Sequence, residues 1–425
     1  MQTKTIYSKD FVLVTIGQII SIFGNQILRY ALPLYLLIQT GSAALFGSIS
    51  AAAFIPMLVL YPVGGIIADR LNKRNIMVIL DFSTSVLILL FSLLAGRIDI
   101  VPLIGITMIV LYGIQGAYQP AVKASVPVLV DTVHIMQANS VVDVINSTAS
   151  MAGPVIGGIL FSVFGLTPIL YISVICFFAS AVLEVFIHIP FEKAQTKGNI
   201  FVTGFSDLKD SFNFICKKQP VLWKMSLIYA AVNLFLTALV LISAPVLITQ
   251  YLGFSANTAN RLYGYAQGVI AAGSILGGLL AGILSKKLSA KASPFLLMGC
   301  AFSILLGGIA LQIFNSPMAI YIMMVAGFGL LMVFSTLFQI QLMSYFQIVT
   351  PRHLIGKIIS CVICVCMCTN PVGQFIYGIV FEHIGNNVYL PFYIAALVVI
   401  GISILTNGIF CKVDGLVRKQ VNDID

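Results

Sequence analysis

Twelve separate runs of mostly apolar residues, each roughly 20 residues or longer, divide this chain, and that is the length an α-helix needs to span a bilayer's hydrocarbon. A soluble fold could not hide them, because hydrophobic residues make up 59% of the 425 and charged residues only 9%. The first six helices are expected near 11–38, 42–68, 75–95, 100–125, 139–164 and 168–188. The second six are expected near 221–250, 260–285, 294–314, 317–346, 356–382 and 388–411. A membrane barrel would need short alternating segments, so the expected fold class is an all-α membrane protein with twelve transmembrane helices. The first run exceeds the apolar stretch of a signal peptide and reads as the first span.

The formal net charge is +9, which in a soluble protein would raise nucleic acid as a partner. The bases are distributed otherwise. With a cytoplasmic N-terminus, only Arg97 and Arg261 fall outside and Arg29 and Lys123 within helices, leaving 19 of the 23 Lys and Arg on cytoplasmic segments. That asymmetry follows the positive-inside rule, so the charge reports topology and the expected partner is the lipid bilayer, with no nucleic acid. A multi-pass protein of the cell (plasma or inner) membrane with both termini cytoplasmic is expected. The division is an N-terminal six-helix bundle at 1–189, a cytoplasmic linker at 190–220, a C-terminal six-helix bundle at 221–411 and a cytoplasmic tail at 412–425. In the linker, Phe205, Leu208, Phe212 and Ile215 recur at helical spacing opposite Asp207, Asp210, Lys217 and Lys218, the pattern of a helix lying along the membrane surface or of a solvated linker.

The two halves are related. "GIIADRLNKR" from Gly65 aligns with "GILSKKLSAK" from Gly282, and Pro154 of "AGPVIGG" aligns with Pro371 of "TNPVGQF", both at an offset of 217 residues. Six helices per unit keep the copies in the same orientation, so the halves are expected to be related by a pseudo-two-fold axis along the membrane normal.

The stretch "PVGGIIADRLNKRN" ends helix 2. Arg70, Lys73 and Arg74 mark a cytoplasmic turn, and Asp69 breaks that pattern. The position matching Asp69 in the second half is Lys286, so the acid occurs in one copy only, where it can pair a neighbouring base or cap a helix. Gly65, Asp69, Arg70, Lys73 and Arg74 resemble the signature G-x-x-x-D-R-x-G-R-R of the major facilitator superfamily. Asn72 stands where that signature has Gly, and Asn tolerates left-handed backbone better than most residues. The resemblance implies that Asp69 latches a cytoplasmic gate against helix 11. On helix 5, Gly153, Pro154, Gly157 and Gly158 resemble the Gly-Pro-x-x-Gly-Gly element of proton-exchanging exporters. Locally, the Pro frees a carbonyl and bends the helix while the glycines permit close packing. "FGNQILRYALP", "QPAVKASVPVLV" and "QANSVVDVI" are similar to the branch containing macrolide efflux proteins and the enterobactin exporter.

Polar stripes locate a pathway without the family. Gln18, Ser21, Asn25 and Arg29 are spaced by three, four and four on helix 1, and Tyr112, Gln115, Gln119 and Lys123 repeat the pattern on helix 4. Tyr229 and Asn233 lie on helix 7, and Ser335, Thr336 and Gln339 on helix 10. The resemblance implies that helices 1, 4, 7 and 10 line the substrate cavity; each polar residue alone could equally be interhelical glue. Arg29 is costly in lipid and must point inward, to attract an anion, to take part in ion coupling or to pair with backbone carbonyls. Carboxylates for proton coupling are few: Asp143, Asp81 and Glu184 lie within about two turns of the cytoplasmic helix ends, with Asp143 the first candidate because it shares helix 5 with Pro154.

Cys361, Cys364 and Cys368 share a helix face but Cys366 does not, and no His joins them, so no metal site is expected. No phosphate-gripping Gly-Lys-Ser/Thr loop occurs, so no cofactor is expected and a proton gradient would supply the energy. The sequence therefore points to a secondary active transporter rather than an enzyme: a monomeric, proton-coupled exporter of amphipathic small molecules such as macrolide-like drugs, working by alternating access. Export of an anionic metabolite or siderophore, motivated by Arg29, is the alternative. A sensor that keeps the fold without transporting is the alternative from another class.

Overall fold

Several of the transmembrane helices begin at a capping side chain. In the computed structural model, which describes residues 8–131, 135–189, 220–284, 290–349 and 355–422, twelve long helices account for most of the described residues. They are α1 (Lys9–Thr40), α2 (Ala43–Arg70), α3 (Lys73–Leu94), α4 (Ile100–Leu129), α5 (Ile135–Phe164) and α6 (Leu166–Val185). Then come α7 (Pro220–Tyr251), α8 (Ala256–Leu284), α9 (Ser293–Ile313), α10 (Pro317–Val349), α11 (Ile355–His383) and α12 (Leu390–Asn422). Among the described residues, eleven segments are long and apolar enough to cross a membrane; α11 adds a twelfth helix. The linker 190–219, with its expected surface helix, lies outside the described residues. So do the side chains of Asp69, Arg70, Asp143, Cys361, Cys364 and Cys366. The helix of α12 runs on through 412–422, residues assigned from sequence to a tail.

Local chemistry sets the boundaries. The Ser8 hydroxyl accepts the Phe11 N–H at the start of α1, and Gly41, at φ 64°, closes its end by donating to Leu37 O. Ser42 at once caps α2, so two residues suffice to reverse the chain. Asp99 caps α4 by accepting from Val101 N at 3.1 Å. Asn72 corrects an expectation: it is not left-handed but extended (φ −63°, ψ 115°), and its side chain accepts the Arg74 N–H at 3.0 Å as the N-cap of α3. An N-cap needs an acceptor side chain, which Gly lacks, so here the departure from Gly serves the helix start rather than the turn.

Apolar residues cover the outside as well as the core: Leu405 is 81% exposed and Phe295 77%, as expected of side chains that face lipid. Residues 1–198 and 255–267 form one compact unit and residues 199–254 and 268–425 a second. In the first, α2 packs on α4, α3 on α6, and α1 on α5 and α6. In the second, α9 packs on α10 and α12, and α11 on α7. Small residues let backbones meet at the crossing of α2 and α4. A Cβ on Gly64 would lie 2.7 Å from Ala117 Cα, and one on Gly116 would lie 2.9 Å from Met57 O. Gly277 plays the same part where α8 meets α10, with a Cβ falling 2.7 Å from Val333 O.

Candidate functional site

The α1 stripe splits into two chemically distinct groups. At one level Arg29 donates from Nη1 to Gln115 Oε1 at 3.0 Å, and its guanidinium carbon stands 4.3 Å from the centroid of the Tyr112 ring. Tyr112 is itself set edge-on against Phe54 of α2, with centroids 5.2 Å apart. The cation is held by an amide and an aromatic face, and among the described residues no carboxylate pairs with it. The electron-rich face of the Tyr112 ring attracts the guanidinium electrostatically and offsets part of the cost of holding Arg29 within a helix bundle.

About two turns along α1, the other end of the stripe enters a different environment. Ser21 donates to Asp81 Oδ1 of α3 at 2.9 Å, and Tyr118 of α4 donates to Glu184 Oε1 of α6 at 2.7 Å. Gln18, one turn before Ser21 on α1, is fully buried, and the carbonyl of neighbouring Gly17 accepts from Ser180 at 2.9 Å. Both amide atoms of Gln18, Oδ2 of Asp81 and Oε2 of Glu184 are buried without a hydrogen-bond partner. Asn25 lies between the two levels along α1, its amide donating to Ser21 O at 3.4 Å. Four helices thus converge on two acids that sequence placed in a shallow position. Tyr118, which completes the group, was not singled out from sequence, although it stands three residues beyond Gln115 on the same α4 face.

The helix 5 element sits at close contacts. A Cβ on Gly153 would lie 2.5 Å from Gln26 Cβ of α1, and one on Gly157 3.3 Å from Tyr30. On Gly158 it would lie 2.9 Å from Gly264 Cα of α8, whose own Cβ would fall 3.2 Å from Pro154 O. Tyr30 secures this junction, donating to Asn260 O at 2.8 Å and stacking on Tyr263 at 4.8 Å. Arg261 donates to Ser162 at 3.0 Å.

Other expected residues lie apart from these groups. Gly65 faces open space, Lys73 begins α3, and the Arg74 guanidinium donates to Val185 O at the end of α6. Gln119 is half-buried, while Lys123 and Gln339 are exposed. Tyr229 is buried, and Asn233 donates to Tyr229 O at 3.0 Å at the start of a π-helical segment, Asn233–Thr237, that no residue pattern announced. Among the described residues no three His, Cys, Asp or Glu side chains come together as a metal-ligand set.

The profile of the Major Facilitator Superfamily matches residues 14–368. The uncharacterized MFS-type transporter YfiS of Bacillus subtilis (strain 168) is 25% identical, covering 94% of this chain and 92% of its own. Macrolide efflux protein A of Streptococcus pyogenes is 23% identical, covering 91% and 93%. The crystal structure of the nucleoside transporter NupG shares the fold at a TM-score of 0.70, with 13% identity over 95% of this chain and 99% of that one. A match spanning most of the chain, on an all-helical frame of transmembrane length, makes this protein a member of the Major Facilitator Superfamily of membrane transporters.

Proposed function

We propose that the chain is a secondary active exporter of amphipathic organic compounds, with macrolide-like molecules as the leading substrates and a proton gradient as the driving force. The observation that carries the reading is the Arg29, Gln115 and Tyr112 group: one cation, one amide and one aromatic face together, on the same α1 stripe as Ser21, which bonds a buried carboxylate. An apolar surface with a few placed polar groups suits a large amphipathic ligand. Similarity to a macrolide efflux protein over most of both chains supports the same class. The cycle is alternating access in a monomer within the cell membrane, both termini cytoplasmic, with no cofactor and the Asp69 region as the gate latch. Everted membrane vesicles containing the protein should accumulate erythromycin when their interior is acidified, and a protonophore should abolish the accumulation. Failure to move any member of a macrolide panel against control vesicles refutes the substrate class.

A second reading, export of an anionic metabolite, is favoured by one feature: no described carboxylate neutralises Arg29. Under it, Arg29→Ala abolishes movement of the anion and spares neutral drugs; equal loss of both removes it.

A further inference from the structure

Asp81 and Glu184 are 2% and 1% exposed, and among the described residues no Lys, Arg or His bonds to either carboxyl group. Buried like charges in a low-dielectric interior oppose each other and their own desolvation, and a proton removes both costs. The donors present are neutral: the Ser21 hydroxyl on one carboxyl and the Tyr118 phenol on the other, each leaving one carboxyl oxygen open. Gln18, on the same α1 face as Ser21, adds an amide with neither end partnered.

Two further observations separate this group from ordinary interhelical glue. On each helix that contributes to it, or just past that helix's end, the residues on one side are apolar and buried together. They are Phe11 and Val14 before Gln18, Ile76 and Met77 before Asp81, Val122 and Val126 after Tyr118, and Ile187 and Ile189 after Glu184. The acids are capped on that side, while on the other the α1 stripe runs through Asn25 to Arg29. The second observation is the repeat. α9 and α12, the second-half counterparts of α3 and α6, pack together with no Asp or Glu from 293 to 313 or from 390 to 410. They are joined by Ser403 donating to Pro294 O at 2.7 Å. At the 217-residue offset Met298 stands for Asp81, Phe235 for Gln18 and Ser335 for Tyr118. The fold therefore builds this helix pair without acids, and their presence in one copy requires another cause.

We propose that Asp81 and Glu184 form the proton-binding site of the transport cycle, coupled to the Arg29 level through the buried α1 stripe. Uptake makes one O–H bond on a carboxyl oxygen and cancels one negative charge; release breaks that bond and returns the proton to water on the opposite side. The inference rests on the proton-driven reading above. The titratable and charged groups around the pair are Tyr118 from α4 and Arg74, two turns earlier on α3, whose guanidinium is occupied by Val185 O. Beyond them Asp10 of α1 accepts from His188 N at 2.8 Å. α1 and α6 otherwise face the pair with Gln18, Ser21 and Ser180, and the acid of α5, Asp143, lies outside the described side chains.

Infrared difference spectroscopy of the reconstituted protein between acid and alkaline pH tests the site without reference to any substrate. The wild type should show a carboxylic-acid carbonyl band that titrates in two steps and ignores Na+, K+ and Ca2+ at fixed pH. Asp81→Asn and Glu184→Gln should each reduce it to one step, and the double variant should remove it. Ser21→Ala and Tyr118→Phe, which keep both carboxyls, should shift its frequency. Each single acid variant should slow gradient-driven erythromycin movement severalfold relative to wild type. A band unchanged in the double variant overturns the proposal, as does one erased by Na+ or Ca2+ at fixed pH, or gradient-driven flux equal to wild type in both single variants. A band that behaves as expected in a protein moving no macrolide upholds the proton site and fails the substrate reading alone.

Discussion

Gly64 and Gly65 are neighbours on α2 with opposite surroundings, and replacing each by Ala isolates the cost of close helix approach. The new Cβ at 64 would lie 2.7 Å from Ala117 Cα and 3.1 Å from the carbonyl oxygens of Gly116 and Ala117. Carbon atoms prefer separations of about 3.5–4.0 Å, and the obstacle is backbone, so α2 and α4 must separate. Overpacking of this kind costs about 1–3 kcal/mol. At 65 nothing stands within 4 Å. Both substitutions gain about 0.8–1.0 kcal/mol of helix propensity, which cancels in the comparison. Gly64→Ala should therefore be about 1–3 kcal/mol less stable than Gly65→Ala, a ratio of roughly 5- to 150-fold in a rate controlled by unfolding. The assay is the rate at which the monodisperse peak is lost from detergent-solubilised protein held at one elevated temperature. Gly116→Ala, aimed at Met57 O from the other helix, should behave like Gly64→Ala. Equal rates for Gly64→Ala and Gly65→Ala would refute the reasoning, because the crossing would then have room that the geometry denies.

Replacing Tyr112 by Leu should raise the apparent KM for substrate, because Arg29 loses a cation–π contact worth about 0.5–2 kcal/mol. Tyr112→Phe keeps the ring and should stay near wild type; KM measured in vesicles separates the two. Asn72→Ala should destabilise the protein by about 0.5–2 kcal/mol and Asn72→Gly by only a few tenths, as at an N-cap, whereas stabilisation by Gly in thermal unfolding would restore the left-handed assignment.

Helix positions were legible because lipid imposes a length and an unbroken apolar run on each span, a constraint local to about 20 residues. The stripe Gln18, Ser21, Asn25 and Arg29 was legible for the same reason: periodicity on one helix needs no knowledge of its neighbours. Burial of the acids was not. Asp81 stands two turns into α3 and Glu184 is the penultimate residue of α6, positions that read as shallow. They are sealed only because Phe11, Val122 and Ile187 arrive from segments more than 60 residues away from one acid or the other. Asn72 went astray through reliance on the residue that usually occupies the position; the acceptor two residues before Arg74 N was the better signal. Nothing in the residues Asn233–Thr237 distinguishes a π-helical segment from the α-helix on either side.

The repeated halves share a frame but not a chemistry, and the difference bears on what moves. Both copies bring a pair of helices into backbone contact at small residues, at Gly64 and Gly116 in one and at Gly277 in the other. Contacts of that kind have few alternative arrangements, so each pair is suited to move as a body. The buried polar groups of the first half lie elsewhere, on α1 and on the faces of α3, α4 and α6 turned toward it. α1 carries Ser21 against Asp81 at one level and Arg29 against Gln115 at another, so a small rotation or slide of this single helix changes both sets of bonds together. A ligand or proton that favours one arrangement at either level biases the other by the same free energy, which is the reciprocity any coupled transporter requires. The second half has no acid at the positions matching Asp81 and Glu184, so under the proton-driven reading proposed above the switch falls to α1 and its first-half neighbours, with the second repeat keeping the shared helix packing.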